Sequence, residues 1–134
     1  MIHRFAVRVY YEDTDLAGVV YYANYLKFLE RGRSEALRAL GIDQSRMKDQ
    51  GTVFVVTRVE IDYRAPARFE DVLEVTTALH QRHAARAILL QTVEREGKPL
   101  VEAKVTIACI DTGGRPVRFG NDVADALDRM RPDG

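Results

Sequence analysis

The chain has 134 residues, with 20 Lys and Arg against 20 Asp and Glu, so its formal net charge is zero. That length fits one domain spanning residues 1–134 with a core of its own, and 46% hydrophobic with 30% charged residues excludes a disordered chain. Balanced charge argues against a general nucleic-acid binder, which carries a basic excess. The single cysteine, Cys109, has no intrachain disulfide partner, and a small chain without disulfides fits a reducing, cytoplasmic compartment.

The first residues, Met1 to Arg8, are broken by charge and hold no apolar stretch of signal-peptide type. Phe5, Val7, Val9 and Tyr11 alternate with Ala6, Arg8 and Tyr10, which predicts a first strand. Glu12 to Gly18 is rich in turn and cap formers. Tyr25, Phe28, Leu29, Gly32, Ala36, Leu37 and Leu40 then recur at helical spacing and make one apolar stripe. Gly32 and Ala36 lie four apart on that stripe, where another backbone is expected to approach closely. Gly41 is the expected helix terminator.

Beyond residue 52 the period becomes two. Val53, Val55, Thr57, Val59, Ile61 and Tyr63 are predicted to share one strand face, and Pro66 ends the run. Leu73, Val75, Thr77 and Leu79 mark a further strand. Ala87 to Leu90 is apolar on both faces, as in a strand covered on both sides. Glu96 to Pro99 reads as a hairpin turn, Val101 to Cys109 alternates strictly, Asp111 to Gly114 is a turn, and Val123, Ala124, Leu127 and Met130 predict a short terminal helix. Four long strands on short connections must pair antiparallel, since parallel pairs need long crossovers. The expected architecture is α+β, with one long central helix wrapped by a curved antiparallel sheet of about five strands. The uncovered sheet face and edges predict a homo-oligomer.

Three carboxylates, Glu12, Asp13 and Asp15, crowd the segment before the helix. Crowding disfavours ionisation of one of them, while the free N–H groups at a helix start favour an anion. By spacing alone Asp15 reads as a helix cap or loop acid. Tyr21, Tyr22 and Tyr25 fall within five residues at the helix start with Asn24. They suit either a core and interface cluster or a pocket with free backbone donors for an oxyanion. Metal binding is not expected: His80 and His83 point to opposite strand faces and Cys109 has no second thiolate. No glycine-rich phosphate loop occurs. Arg82 and Arg86 flank a strand junction, reading either as a solvated turn or as guanidinium forks for an anionic ligand.

The block Val9-Tyr10-Tyr11-Glu12-Asp13-Thr14-Asp15-Leu16-Ala17-Gly18-Val19-Val20-Tyr21-Tyr22-Ala23-Asn24-Tyr25-Leu26, with Phe28-Leu29-Glu30-Arg31 behind it, closely resembles the hot-dog-fold acyl-CoA thioesterases. More narrowly it is similar to the 4-hydroxybenzoyl-CoA thioesterase-like group, which includes the Tol–Pal-associated acyl-CoA thioesterases. The resemblance implies a hot-dog fold, thioester hydrolysis of an acyl-CoA substrate without cofactor or metal, and a homodimer or homotetramer with sites at the subunit interface. It also implies a peripheral link to a cell-envelope complex. By position Asp15 matches the catalytic aspartate, acting as nucleophile or as general base on water. The backbone N–H near Tyr22 matches the donor that polarises the thioester carbonyl. Gly18, Val19, Tyr21, Asn24 and Tyr25 are implied to line the substrate, with Arg82 and Arg86 near the CoA nucleotide. Many Tol–Pal-associated members carry His where this chain has Tyr22, so a side-chain histidine role is absent here. The alternative on the same fold is a non-hydrolytic binding module for acyl-CoA or an acyl-carrier protein.

Overall fold

The computed structural model describes residues 1–132. Five strands, β1 (His3–Arg8), β2 (Thr52–Tyr63), β3 (Val72–Arg82), β4 (Arg86–Arg95) and β5 (Lys98–Asp111), form one antiparallel sheet in the order β1-β3-β4-β5-β2. The long helix α1 (Tyr25–Ala39) packs across it, over β1, β3 and β4, and leaves a cleft towards β5 and β2. The apolar stripe of α1 is its buried face: Tyr25, Phe28, Leu29, Gly32, Ala36 and Leu37 are all buried. Burying a side chain such as Phe28 or Leu29, both fully covered, stabilises the fold by about 1.5–3 kcal/mol.

Gly41 ends α1 as expected. It takes φ +84, its N–H donates to Arg38 O at 3.0 Å, and Ile42 N–H donates to Leu37 O at 3.0 Å. This pair of hydrogen bonds around a left-handed glycine satisfies carbonyls that the helix end would leave bare. A short α2 (Gln44–Asp49) follows, capped by Asp43, whose side chain accepts from Arg46 N–H. The terminal helix α3 (Asn121–Asp128) buries Ala126 and Leu127.

The sheet registers place one residue per strand in rows under the helix. One row runs Phe5–Val75–Val93–Val101–Tyr63, and the next runs His3–Thr77–Gln91–Ala103–Ile61. β5 has the strict alternation expected, with Val101, Ala103, Val105, Ile107 and Cys109 buried. The β4–β5 hairpin closes at Glu96 and Gly97, both with positive φ (52 and 80), the geometry of a two-residue turn matched to strand twist.

Four expectations are corrected. β1 stops at Arg8, and Tyr11 lies in a 3₁₀ turn, Tyr11–Asp13, where it is 80% exposed. The predicted β2 face is split by a bulge at Thr57, since Val56 pairs with Ile107 and Arg58 with Thr106. One inserted residue switches the side of everything beyond it. The face opposite Cys109, Ile107, Val105, Ala103 and Val101 is therefore Phe54, Val56, Val59, Ile61 and Tyr63. The close neighbour at Gly32 is the Val75 side chain of β3, which a Cβ at residue 32 would overlap, and not a backbone. Finally, Ala87 and Leu89 of β4 are buried, Ile88 is half-buried and Leu90 is exposed, so one protomer covers only one side of this strand.

Candidate active site

Residues 9–24 cross from β1 to α1 and lie against the β2–β3 connection. Val9 N–H donates to Asp71 O at 2.8 Å, Glu70 N–H to Val9 O at 3.0 Å, and Val20 N–H to Ala67 O at 2.8 Å. Asp71 in turn organises that connection: its Oδ2 accepts from Arg68 N–H at 2.8 Å and from Arg95 Nη1 at 2.7 Å. Burial opposes ionisation of Asp71, but the Arg68 N–H and the Arg95 guanidinium outweigh it and hold the carboxyl below its ordinary value.

Asp15 sits at the head of a tight turn. Its N–H donates to Val19 O and Gly18 N–H donates to Asp15 O, both at 2.9 Å, with Gly18 at φ +79. The Asp15 Oδ1 accepts from Ala17 N–H at 2.9 Å, and among the described residues Oδ2 has no donor. Asp15 is exposed and caps no helix, because α1 begins ten residues later. The crowded acids take separate partners: Asp13 Oδ2 accepts from Tyr10 N–H at 2.8 Å, while Glu12 points to solvent. Val19 is half-buried and pairs with Arg68.

The helix start is built from aromatic contacts. Tyr22–Asn24 form a 3₁₀ turn leading into α1. Asn24 Nδ2 donates to Asp13 O at 2.9 Å and Tyr21 N–H donates to the same carbonyl at 3.0 Å, so the acidic loop is tied to the turn. Among the described residues no acceptor takes the Tyr22 N–H. Tyr21 and Tyr22 are exposed with ring centroids 5.0 Å apart. Tyr25 is different: its ring is 3% exposed and its Oη accepts from Ala67 N–H at 3.0 Å, so it locks the helix to the β2–β3 connection. Burial pushes the Tyr25 phenol up, with the Ala67 N–H bond opposing.

Tyr63, at the end of β2, was not marked as a site residue by the sequence. Its Oη donates to Tyr22 O at 3.1 Å, and its ring meets Tyr22 edge-on at 6.1 Å and Tyr25 at 5.7 Å. Burial, with Tyr22 and Tyr25 beside it, raises the Tyr63 phenol above its ordinary value. Arg82 forms a forked pair with Asp128, at 2.8 Å from Nε and 3.1 Å from Nη2, and thereby fastens α3 to β3. Arg86 is exposed, and its side chain has no hydrogen-bond partner among the described residues, while its carbonyl accepts from His83 N–H at 2.8 Å. Among those residues, too, no three His, Cys, Asp or Glu side chains cluster as metal ligands, and no helix is long and apolar enough to cross a membrane.

A long helix laid on a five-stranded antiparallel sheet in this strand order, with an acidic turn joined to the helix start, defines the hot-dog fold. Residues 9–127 match the family model of the thioesterase-like superfamily. The chain is 41% identical over 129 residues to the acyl-CoA thioesterase YbgC of Haemophilus influenzae, covering 95% of both chains. It is 40% identical over 111 residues to the acyl-CoA thioester hydrolase YbgC of Escherichia coli, covering 82% of this chain and 83% of that one. The crystal structure of a probable thioesterase from Bartonella henselae superposes with a TM-score of 0.86 at 39% identity, over 90% of this chain and all of the other. The chain belongs to the thioesterase-like superfamily, and it is a thioester hydrolase.

Proposed function

We propose that this protein hydrolyses acyl-CoA thioesters to a free carboxylic acid and CoA, with Asp15 supplying the attack and the Tyr22 N–H receiving the developing oxyanion. The observation carrying this is the pairing of an unengaged acceptor and an unengaged donor on one braced loop: Asp15 Oδ2 and the Tyr22 N–H, joined through Asp13 and Asn24. Two routes fit. As nucleophile, the Asp15 carboxylate attacks the thioester carbonyl carbon, CoA leaves as thiolate, and water then cleaves the mixed anhydride. As general base, Asp15 takes a proton from water, the resulting hydroxide attacks, and the thiolate leaves directly. In both the carbonyl oxygen gains negative charge, which a fixed N–H stabilises.

Gly18, Val19, Tyr21 and Asn24 form the acyl wall in this reading, and Tyr25 supports it from the core. Arg86 meets the anionic nucleotide of CoA, while Arg82 holds α3 through Asp128. One domain carries the reaction in the cytoplasm, and a homodimer or homotetramer completes the site. The twelve-residue edge strand β2, with Val56, Val59 and Tyr63 exposed, supports the first, and exposed Leu90 on the outer sheet face supports a further layer. A peripheral attachment to a cell-envelope complex belongs to the same reading.

The test is Asp15→Asn. Thiol release from an acyl-CoA series falls by about 10²–10⁴-fold with an unchanged melting temperature; wild-type turnover in that variant overturns the assignment. After single turnover in ¹⁸O water, label in Asp15 identifies the nucleophile route, with water opening the anhydride at the Asp15 carbonyl.

A further inference from the structure

The cleft between α1 and the β5–β2 side of the sheet holds a half-open cavity of about 200 Å³, well away from the Asp15 turn in sequence. One side of it is apolar, with Leu37 from α1, Phe54, Val55 and Val56 from β2, and Ile107 from β5, and the other is polar, with Ser34 and Gln44 beside the charged residues of α1. One cation lines it, Arg33, near the middle of α1. The Arg33 Nη1 donates to Gln91 Oε1 at 3.1 Å. Gln91 is 1% exposed and is itself locked, its Nε2 donating to Leu29 O at 3.0 Å and to Thr77 Oγ1 at 2.9 Å. The guanidinium is therefore held by a fixed neutral amide.

Arg33 makes no ion pair among the described residues, and its Nε and Nη2 have no acceptor there. Glu30 also lines the cavity but is exposed. Burial lowers the Arg33 guanidinium from its ordinary value, with Glu30 opposing. Arg33 is half-buried, so its guanidinium is partly stripped of water without a counter-charge in return, whereas buried charges are normally paired.

We propose that this cavity is a carboxylate-binding subsite, in which Arg33, oriented by Gln91, receives an organic carboxylate whose apolar body packs on Leu37, Phe54, Val56 and Ile107. The planar fork matches a carboxylate with two parallel N–H donors. The apolar side, and the Glu30 carboxylate on the rim, favour a singly charged group on a hydrocarbon body over a phosphate. The volume, several times the ~30 Å³ of one liquid water, admits a short aliphatic chain or one aromatic ring. Two sources share this chemistry: the acid released by thioester hydrolysis, and the distal carboxylate of a dicarboxylic acyl group. The second source rests on the acyl-CoA reading; the binding itself does not.

The experiment is calorimetric titration of the full-length protein at pH 7.5 with hexanoate, benzoate and adipate, for wild type, Arg33→Met, Arg33→Lys and Ser34→Trp. Saturable binding by wild type is expected, weakened about tenfold or more in Arg33→Met, partly kept in Arg33→Lys, and weakened in Ser34→Trp, which narrows the cavity from the α1 side while leaving the cation. No saturable binding by wild type, or wild-type affinity in Arg33→Met or in Ser34→Trp, overturns the proposal. Where Arg33→Met does not fold, Arg33→Lys and Ser34→Trp decide alone. Hydrolysis of adipoyl-CoA against hexanoyl-CoA then separates the sources. A wild-type preference for adipoyl-CoA that Arg33→Lys loses identifies the distal carboxylate. Competitive inhibition by the free acids without such preference identifies the product. Binding intact in a protein that hydrolyses no acyl-CoA overturns the acyl-CoA reading and leaves the subsite standing.

Discussion

The Tyr63 hydroxyl donates to the Tyr22 carbonyl at 3.1 Å, joining the end of the edge strand to the turn that presents the Tyr22 N–H. The two rings also meet edge-on at 6.1 Å. Tyr63→Phe keeps the ring contact and removes only the hydrogen bond, a net loss of about 1 kcal/mol, or roughly fivefold. The expected result is a fall in kcat of that size with KM unchanged, because in the proposed mechanism the bond fixes the turn whose N–H meets the oxyanion. A change confined to KM, or none, would detach Tyr63 from the proposed oxyanion donor. Tyr63→Ala also removes the ring from Tyr22 and Tyr25 and is expected to lower the melting temperature as well.

Gly32 faces the side chain of Val75, which a Cβ would overlap. In an exposed helix interior Gly→Ala gains about 1 kcal/mol. Here the overlap outweighs it, because overpacking costs about 1–3 kcal/mol and the sheet row Phe5–Val75–Val93–Val101 leaves little room to shift. Gly32→Ala is expected to lower stability in urea, and Val75→Ala added to it is expected to recover part of the loss. Additive effects in that double-mutant cycle would show the helix moving instead of Val75 yielding.

The helix and the last long strand were legible because their apolar residues are periodic and their ends are marked: Tyr25 to Leu40 stops at Gly41, and Val101 to Cys109 alternates without a break. The β2 face was not, since the bulge at Thr57 carries neither glycine nor proline and arises from pairing with β5. Helix α2 has little apolar period and is announced only by its cap, Asp43. At the site, the acidic turn and the tyrosines stand out as a local block, and the resemblance drew on them. Tyr63 and Gln91 do not, because each acts through a partner 41 or 62 residues away, Tyr22 and Leu29 respectively. Arg82 reads like an exposed anion binder until α3 brings Asp128 to it.

Acid stability follows from Asp128 and Asp71. The Arg82 hydrogen bond, with burial opposing and the charges of Arg82 and Arg131 adding, holds Asp128 below its ordinary value. Asp71 is held down likewise, against burial, by Arg68 and Arg95. A carboxylate whose folded pKa is depressed contributes stability that is complete above the unfolded value, about 4, and is lost as pH falls through the lower folded value. The melting temperature is therefore expected to stay flat from pH 7 to about 5 and to drop below about 4. Asp128→Asn is expected to lower it at pH 7 and to flatten the acid slope. An unchanged slope in both Asp128→Asn and Asp71→Asn would place the acid sensitivity elsewhere.

The exposed edge of the sheet sets the last expectation. β2 runs twelve residues with one side of its backbone ladder unpaired by this chain, and it exposes Val56 and Val59 at 45% and 37%. A long apolar edge strand is a template for pairing with another chain, and closed assemblies remove that hazard by placing two such edges together. Val59 lies opposite Val105, on the face that also carries Tyr63. Val59→Asp thus puts a charge beside both the proposed seam and the strand that braces the Tyr22 turn. Sedimentation is expected to show a dimer or larger assembly for the wild type and a monomer for Val59→Asp. Thiol release should fall with the dissociation and recover at high protein concentration, because mass action restores the pair. A wild type that sediments as a monomer at full activity would show that one chain builds the whole site.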